Sequence, residues 1–274
     1  MKLIRKIFLF LLVILLSFVL YAFRVEPYRY TVENVVLNSR ENTEKALRIV
    51  QFSDTHIYEG FTAKDLAPIV EAINAQEPDV VVFTGDLYDN YSIHQEDQDL
   101  IEVLSSIRAD TKLAIWGNRD YGGYAENQYE EIMDEAGFYV LRNADYIVEI
   151  TENNTTKEVL FTGVDDSLIG SPHISSVRKN TDYSVLLMHE PDDAVQFSPG
   201  YNLVLSGHTH GGQIQVPFCN QWLWGKMGIT EEYMRGMYTL SENSTLYVNP
   251  GIGTTHIHAR FNVKPEITVF DIYL

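Results

Sequence analysis

Apolar and polar positions along the chain fall into blocks whose period changes, and those changes predict the order of elements. Residues 7–23 are apolar apart from Ser17 and Tyr21, with Lys2, Arg5 and Lys6 before them and Arg24 after them. As a helix the run reaches about 26 Å, slightly short of a hydrocarbon core of about 30 Å, and flanking basic side chains close that gap by snorkelling. Residues 1–24 are therefore expected to form an N-terminal membrane anchor. A cleaved signal sequence is the competing reading, but Leu20 and Ala22 match a small-x-small cleavage site poorly. The basic N-terminal flank puts the rest of the chain on the outer face, as a single-pass cell-membrane protein with an extracytoplasmic domain.

Residues 25–47 read as a polar lead-in and residues 48–274 as one domain. Within it, residues 48–52, 79–84, 112–116, 183–188 and 201–206 are short apolar runs that predict strands. They end respectively at Ser53-Asp54, Gly85-Asp86, Gly117-Asn118, His189 and Gly207-His208. Between the early runs, Leu66, Ile69, Val70 and Ile73 are spaced for one helix face, and Leu100, Ile101, Val103, Leu104 and Ile107 for another. This alternation argues for an α/β layered fold with polar residues gathered beyond the carboxyl ends of the strands. Further runs at 146–149, 159–162, 246–248 and 267–270 predict a second sheet packed on the first.

Composition narrows the function. At 274 residues, 45% hydrophobic and 12% aromatic, the chain has enough apolar surface to fold around a core rather than remain disordered. A formal charge of −18 without a basic cluster argues against a nucleic-acid partner. A phosphorylated substrate stays compatible, because two divalent ions against two carboxylates leave roughly +2 locally. Cys219 is the single cysteine, so no intrachain disulfide exists.

The strand ends carry the candidate chemistry. Asp54 and His56, two apart, share a side and can chelate one ion. Asp86 adds a carboxylate able to bridge two cations about 3.5–4 Å apart. Asn118, His189, His208 and His210 complete a set of four imidazoles, two carboxylates and one amide. That mixture suits Mn²⁺, Fe or Zn²⁺ better than an all-oxygen Mg²⁺ or Ca²⁺ site.

These blocks, in order Asp-x-His, Gly-Asp, Gly-Asn, His and Gly-His-x-His, resemble the calcineurin-like metallophosphoesterases. The resemblance runs from about Arg48 to the C-terminus. Gly207-His208-Thr209-His210-Gly211-Gly212-Gln213, Asn249-Pro250-Gly251-Ile252-Gly253 and Lys264-Pro265-Glu266-Ile267-Thr268 are similar to the family's membrane-associated bacterial branch. It implies a four-layer α/β sandwich of two mixed β-sheets flanked by helices. It also implies two divalent ions, Mn²⁺ first among candidates. Asp54, His56 and His210 would hold one ion, Asn118, His189 and His208 the other, with Asp86 between. The implied reaction is hydrolysis of a phosphodiester or diphosphate by a metal-bound hydroxide.

One position departs from the family, which usually has His after Gly-Asn where this chain reads Arg119-Asp120. An arginine does not donate a proton at neutral pH, but its planar fork can clamp a phosphate. The string Gly-Asn-Arg-Asp also resembles that of the lipid A pathway enzyme that splits the pyrophosphate of UDP-2,3-diacylglucosamine. Asn118, Arg119 and Asp120 are therefore the expected catalytic residues, acting on a good leaving group in a lipid-linked or envelope substrate. The aromatic stretch 216–224, with Met227 and Met234 beyond it, reads either as a substrate-covering loop offering Trp222 and Trp224 or as ordinary packing. His94 and His173 read as structural, and His256 and His258 as surface or outer positions, with an extra metal role as the alternative. Asp165-Asp166 either orients a ligand imidazole or closes a turn. Two other classes compete: an inactive metal-binding scaffold, suggested by Arg119, and a metallopeptidase, which lacks a His-Glu-x-x-His helix.

Overall fold

The apolar runs are buried on both faces, and this explains both their composition and the layering. The computed structural model describes residues 1–38, 45–123, 125, 128–152, 155–174, 180–220 and 232–274. Among these, the first sheet contains β1 (Thr31–Leu37), β2 (Lys45–Phe52), β3 (Val80–Phe83), β4 (Thr111–Ala114), β5 (Tyr139–Val140) and β12 (Glu266–Tyr273), in the order β1-β12-β2-β3-β4-β5. The second contains β6 (Ala144–Glu152), β7 (Thr155–Gly163), β8 (Tyr183–Leu187), β9 (Leu203–Ser206), β10 (Gly236–Ser241) and β11 (Ser244–Val248), in the order β10-β11-β9-β8-β7-β6. Both sheets are mixed: β12 runs antiparallel to β2, and β6 and β10 run antiparallel to β7 and β11.

Residue parity sorts each strand between two cores. Leu47, Ile49, Val80 and Val82 meet Phe161, Val185, Leu187 and Leu205 in the slab between the sheets. Their neighbours Val50, Phe52, Val81 and Phe83 point the other way, onto the helices α2 (Ala63–Asn74), α3 (Asp97–Ser105) and α4 (Tyr129–Glu135). A period of two with both faces covered gives the unbroken run Val80–Phe83, every residue buried. The outer face of the second sheet is covered by the short α5 (Ala194–Phe197), Tyr201 and neighbouring loop residues. The result is the expected α/β arrangement of two stacked mixed sheets with helical layers outside.

Two sheet assignments differ from the sequence reading. The run at 267–270 joins the first sheet as part of β12, between β1 and β2, because a strand apolar on both faces carries no mark of its sheet. Inside the lead-in, residues 31–37 form β1, paired in parallel with β12. Its polar Glu33 and Asn34 are exposed at the edge while Val35 is buried.

At the N-terminus, α1 (Lys2–Arg24) is longer at both ends than the apolar run alone predicted, about 35 Å for 23 residues. It is long and apolar enough to cross a membrane.

Candidate metal centre

The carboxyl ends of β2, β3, β4, β8 and β9 converge on one rim, where a chain of buried hydrogen bonds locks the two sheets together. Gln51 Nε2 donates to Ser206 O at 2.9 Å and to Thr84 Oγ1 at 3.1 Å, and Thr84 Oγ1 donates to Ser53 Oγ at 2.7 Å. Asp54, Asp86, Asn118, His189 and His208 lie two to four residues past these strand ends, so the strand register brings the distant blocks to one rim. Close backbone approach requires glycine here: a Cβ on Gly117 would lie 2.6 Å from Asp86 N and would also strike the Asp86 carboxylate.

The donor atoms fall into two groups around Asp86. Asp54 Oδ1 lies 3.8 Å from His56 Nε2 and 3.6 Å from His210 Nε2, and the two imidazole Nε2 atoms are 2.9 Å apart. On the other side, His208 Nδ1 is 3.2 Å from Asn118 Oδ1. Asp86 Oδ2 stands between, 3.3 Å from His56 Nε2 and 3.4 Å from His189 Nε2. Asp54, His56, Asp86, His189 and His210 are almost fully buried, while Asn118 and His208 lie at the half-exposed edge. Asp54, His56, Asp86, His208 and His210 all have positive φ, between 42° and 70°. Such backbone is costly for residues with a Cβ and collects at sites that over-determine it.

Whether these residues suit cations can be judged from the donors themselves. His189 Nδ1 is 2.7 Å from Thr84 O and so carries its proton there. Its Nε2 is buried with no hydrogen-bond partner, aimed at the Asp86 carboxylate. Burial opposes charge at His189, yet Asp86 beside it lifts the imidazole well above its usual pKa: the site draws positive charge onto Nε2. Burial likewise opposes charge at Asp54 and Asp86, but the surrounding imidazoles hold both carboxyls below the ordinary range. Burial keeps His210 well below the usual histidine value and therefore neutral. Ionised carboxylates and imidazole nitrogens that the carboxylates draw toward positive charge converge in a buried space, a cluster able to bind metal ions.

Outer contacts hold the donors. The Asp89 carboxylate is 3.4 Å from His56 Nδ1 and accepts from Thr255 Oγ1 at 3.0 Å. Asp54 accepts the His208 N–H at 3.0 Å. Arg260, fully buried, donates to the carbonyls of Pro250, Gly251 and Gly253 and lies 3.4 Å from His210 Nδ1. Neither Asp89 nor Arg260 was found in the sequence: Asp89 has only its place three residues after Asp86, and Arg260 gives no signal.

The Asp120 carboxylate accepts the N–H groups of Asp86, Leu87 and Gly117, each at 2.9 Å, and is buried. With these bonds Asp120 fastens the β3 and β4 ends together. Burial, and after it the Asp86 charge, push it up to about 7 against those three donors. Arg119 N donates to Asp86 Oδ1 at 2.7 Å, and its guanidinium reaches Thr255 Oγ1 at 3.1 Å and His256 Nε2 at 3.2 Å. His258 stacks on Tyr58 with centroids 3.8 Å apart. Asp166 Oδ1 accepts from Leu168 N and Ile169 N, the turn role, and Asp165 accepts from Arg142 and Ser171 N. Trp222, Trp224 and Met227 lie outside the described residues.

In sequence the chain is similar to known proteins. The family model of the calcineurin-like phosphoesterases matches residues 47–212. The uncharacterized metallophosphoesterase YkuE of Bacillus subtilis is 38% identical over 259 residues, covering 92% of this chain and 88% of its own. A transmembrane protein with a metallophosphoesterase domain from Danio rerio is 30% identical over 238 residues, covering 81% of this chain and 52% of its own. Among solved structures, a dimetal phosphatase from Danio rerio superposes with a TM-score of 0.46 at 12% identity, over 84% of this chain and 94% of that one. With a matching family model over more than half its length and a metal-binding cluster at the expected strand ends, this chain belongs to the calcineurin-like phosphoesterases, hydrolases of phosphoester bonds.

Proposed function

We propose that the protein is a membrane-anchored, dinuclear metal-dependent phosphohydrolase of phosphodiesters or diphosphates in lipid-linked or envelope substrates. Asp54, His56 and His210 would hold one divalent ion and Asn118, His189 and His208 the second, with Asp86 shared between them. The observation that carries this reading is the position of Asp86 Oδ2, almost equidistant from the Nε2 atoms of His56 and His189. The mixed nitrogen and oxygen donors favour Mn²⁺, with Zn²⁺ or Fe as alternatives. When bound, such ions supply Lewis acidity and an activated water.

The chain's own groups do the rest. Asn118 and His208 form the half-exposed edge through which a phosphoryl group enters. Arg119 sits at that edge with its backbone N–H on Asp86 and its guanidinium braced by Thr255 and His256. Its fixed positive charge stabilises phosphoryl oxygens without donating a proton, which favours a leaving group that departs as an anion. Trp222 and Trp224 are kept as substrate-binding candidates, and α1 with its basic N-terminal flank favours an extracytoplasmic domain.

Hydrolysis of bis-nitrophenyl phosphate by the full chain should require added Mn²⁺ and be abolished by Asp86→Ala. Undiminished turnover in that variant would defeat the dinuclear reading, and no turnover with any divalent metal would favour the inactive scaffold. Arg119→His should raise turnover of alkyl phosphodiesters relative to diphosphates. An equal change in both would remove the leaving-group argument.

A further inference from the structure

The anchor is stapled to the domain rather than tethered to it. The Ala22 carbonyl near the end of α1 accepts from Arg260 N at 2.9 Å, and the Phe18 ring meets Phe261 edge-on with centroids 5.8 Å apart. Just past the helix, the buried Glu26 carboxylate accepts from Val263 N at 2.8 Å, Pro27 is buried, and Tyr28 donates to Gly60 O at 3.0 Å. Contacts on both sides of the helix end fix its direction relative to the domain.

The depth of one contact matters most. Phe18 lies six residues before Arg24, the last residue of α1, which is about 9 Å along the axis. When α1 spans a bilayer, Phe261 therefore reaches the boundary between headgroups and acyl chains. Phe261 is paired with the segment following His210: its N–H donates to Gln213 O at 2.9 Å and its carbonyl accepts from Gln215 N at 2.8 Å. That segment continues to Val216, 37% exposed, and Phe218, fully exposed with φ +69°. Gln213 Nε2 also donates to Ile257 O at 2.9 Å, and Ile257 is 43% exposed. Three apolar side chains thus project from the segment that meets α1 and from the one paired with it. The same segments reach the open edge of the site, since His256 touches the Arg119 guanidinium.

We propose that Val216, Phe218 and Ile257 form a docking rim for the bilayer interface, which delivers phosphate headgroups of lipids in that leaflet to the Arg119–His256 edge of the metal centre. The delivery step rests on the phosphohydrolase reading above, whereas the docking step does not. Continuity with α1 selects a bilayer as the occupant. The whole chain has a net charge of −18 and its first 24 residues hold basic but no acidic side chains, so the acidic domain is repelled by anionic lipids and the rim must dock through apolar insertion.

Cys219, exposed and beside Phe218, is the chain's single cysteine and takes a probe without other substitution. With an environment-sensitive fluorophore on Cys219 and the full chain in phosphatidylcholine vesicles, emission should shift to the blue. Lipids brominated near the headgroup end of the acyl chain should quench it, equally at low and high salt. Emission at the wavelength of the probe in water, without quenching, would overturn the docking rim. The paired variant Phe218→Ser with Ile257→Ser should reduce hydrolysis of a vesicle-borne phospholipid diester at least tenfold while leaving the soluble nitrophenyl diester unchanged. Equal rates on both substrates relative to the native chain would overturn delivery. A native chain that hydrolyses neither would overturn the phosphohydrolase reading together with delivery, and the quenching result would still decide docking.

Discussion

Asp89 and Gly251 show how groups that need touch no ion set the geometry of those that would. Asp89 faces His56 Nδ1 at 3.4 Å, which favours the tautomer that leaves Nε2 for a cation. Asp89→Asn should weaken Mn²⁺ affinity about 10- to 100-fold, read by metal titration of activity. Unchanged affinity would show that His56 is oriented by its backbone alone. Gly251 has φ +72°, and a Cβ there would come within 2.7 Å of Asp54 Cβ. Gly251→Ala should cost about 1–3 kcal/mol in chemical denaturation and displace Asp54, with loss of metal-dependent turnover. Stability and turnover equal to the native chain would contradict that close approach. At this scale the sequence was informative about ligand type, since each polar block follows an apolar run. Asp89 and Arg260 stayed hidden because their roles exist only through contacts between segments far apart in the chain.

At the scale of elements, the strands do the positioning: β2, β3, β4, β8 and β9 end at one rim, and the slab between the sheets keeps those ends in register. Phe161 lies fully buried in that slab. Phe161→Ala should lower unfolding free energy by about 3–5 kcal/mol in urea titration, as removal of a large buried aromatic leaves a cavity. A loss below about 1 kcal/mol would mean that the sheets do not depend on this packing. The strands that end in ligands were legible because they are short, β-branched and followed by glycine or a polar residue. Sheet membership was not, as β12 shows: a strand buried on both faces has the same pattern in either sheet. β1 was missed because Thr31, Glu33 and Asn34 give an edge strand a polar composition, and α4 and the two-residue β5 are too short to show a period.

For the molecule as a whole, α1, the loops it meets and the candidate metal centre form one connected unit. Arg260 bonds the α1 end through its backbone and braces the 250–253 carbonyls beneath His210 through its guanidinium. Burial lowers Arg260 to about 10, and Asp54, Glu26 and Glu266 act against that fall, so it stays charged at neutral pH. The hydrophobic pattern predicted the long N-terminal apolar helix and the α/β layers, but not the contacts between them, which depend on single residues such as Glu26 and Phe261. The central claim is that seven residues from five strand ends hold two ions around Asp86. Its most direct test is the metal content of the purified full chain after equilibration with Mn²⁺, measured by plasma mass spectrometry beside Asp86→Ala. The native chain should carry about two ions per chain and the variant fewer than one, because the bridge serves both positions. A native chain with one ion or none, or a variant that keeps both, would contradict the claim.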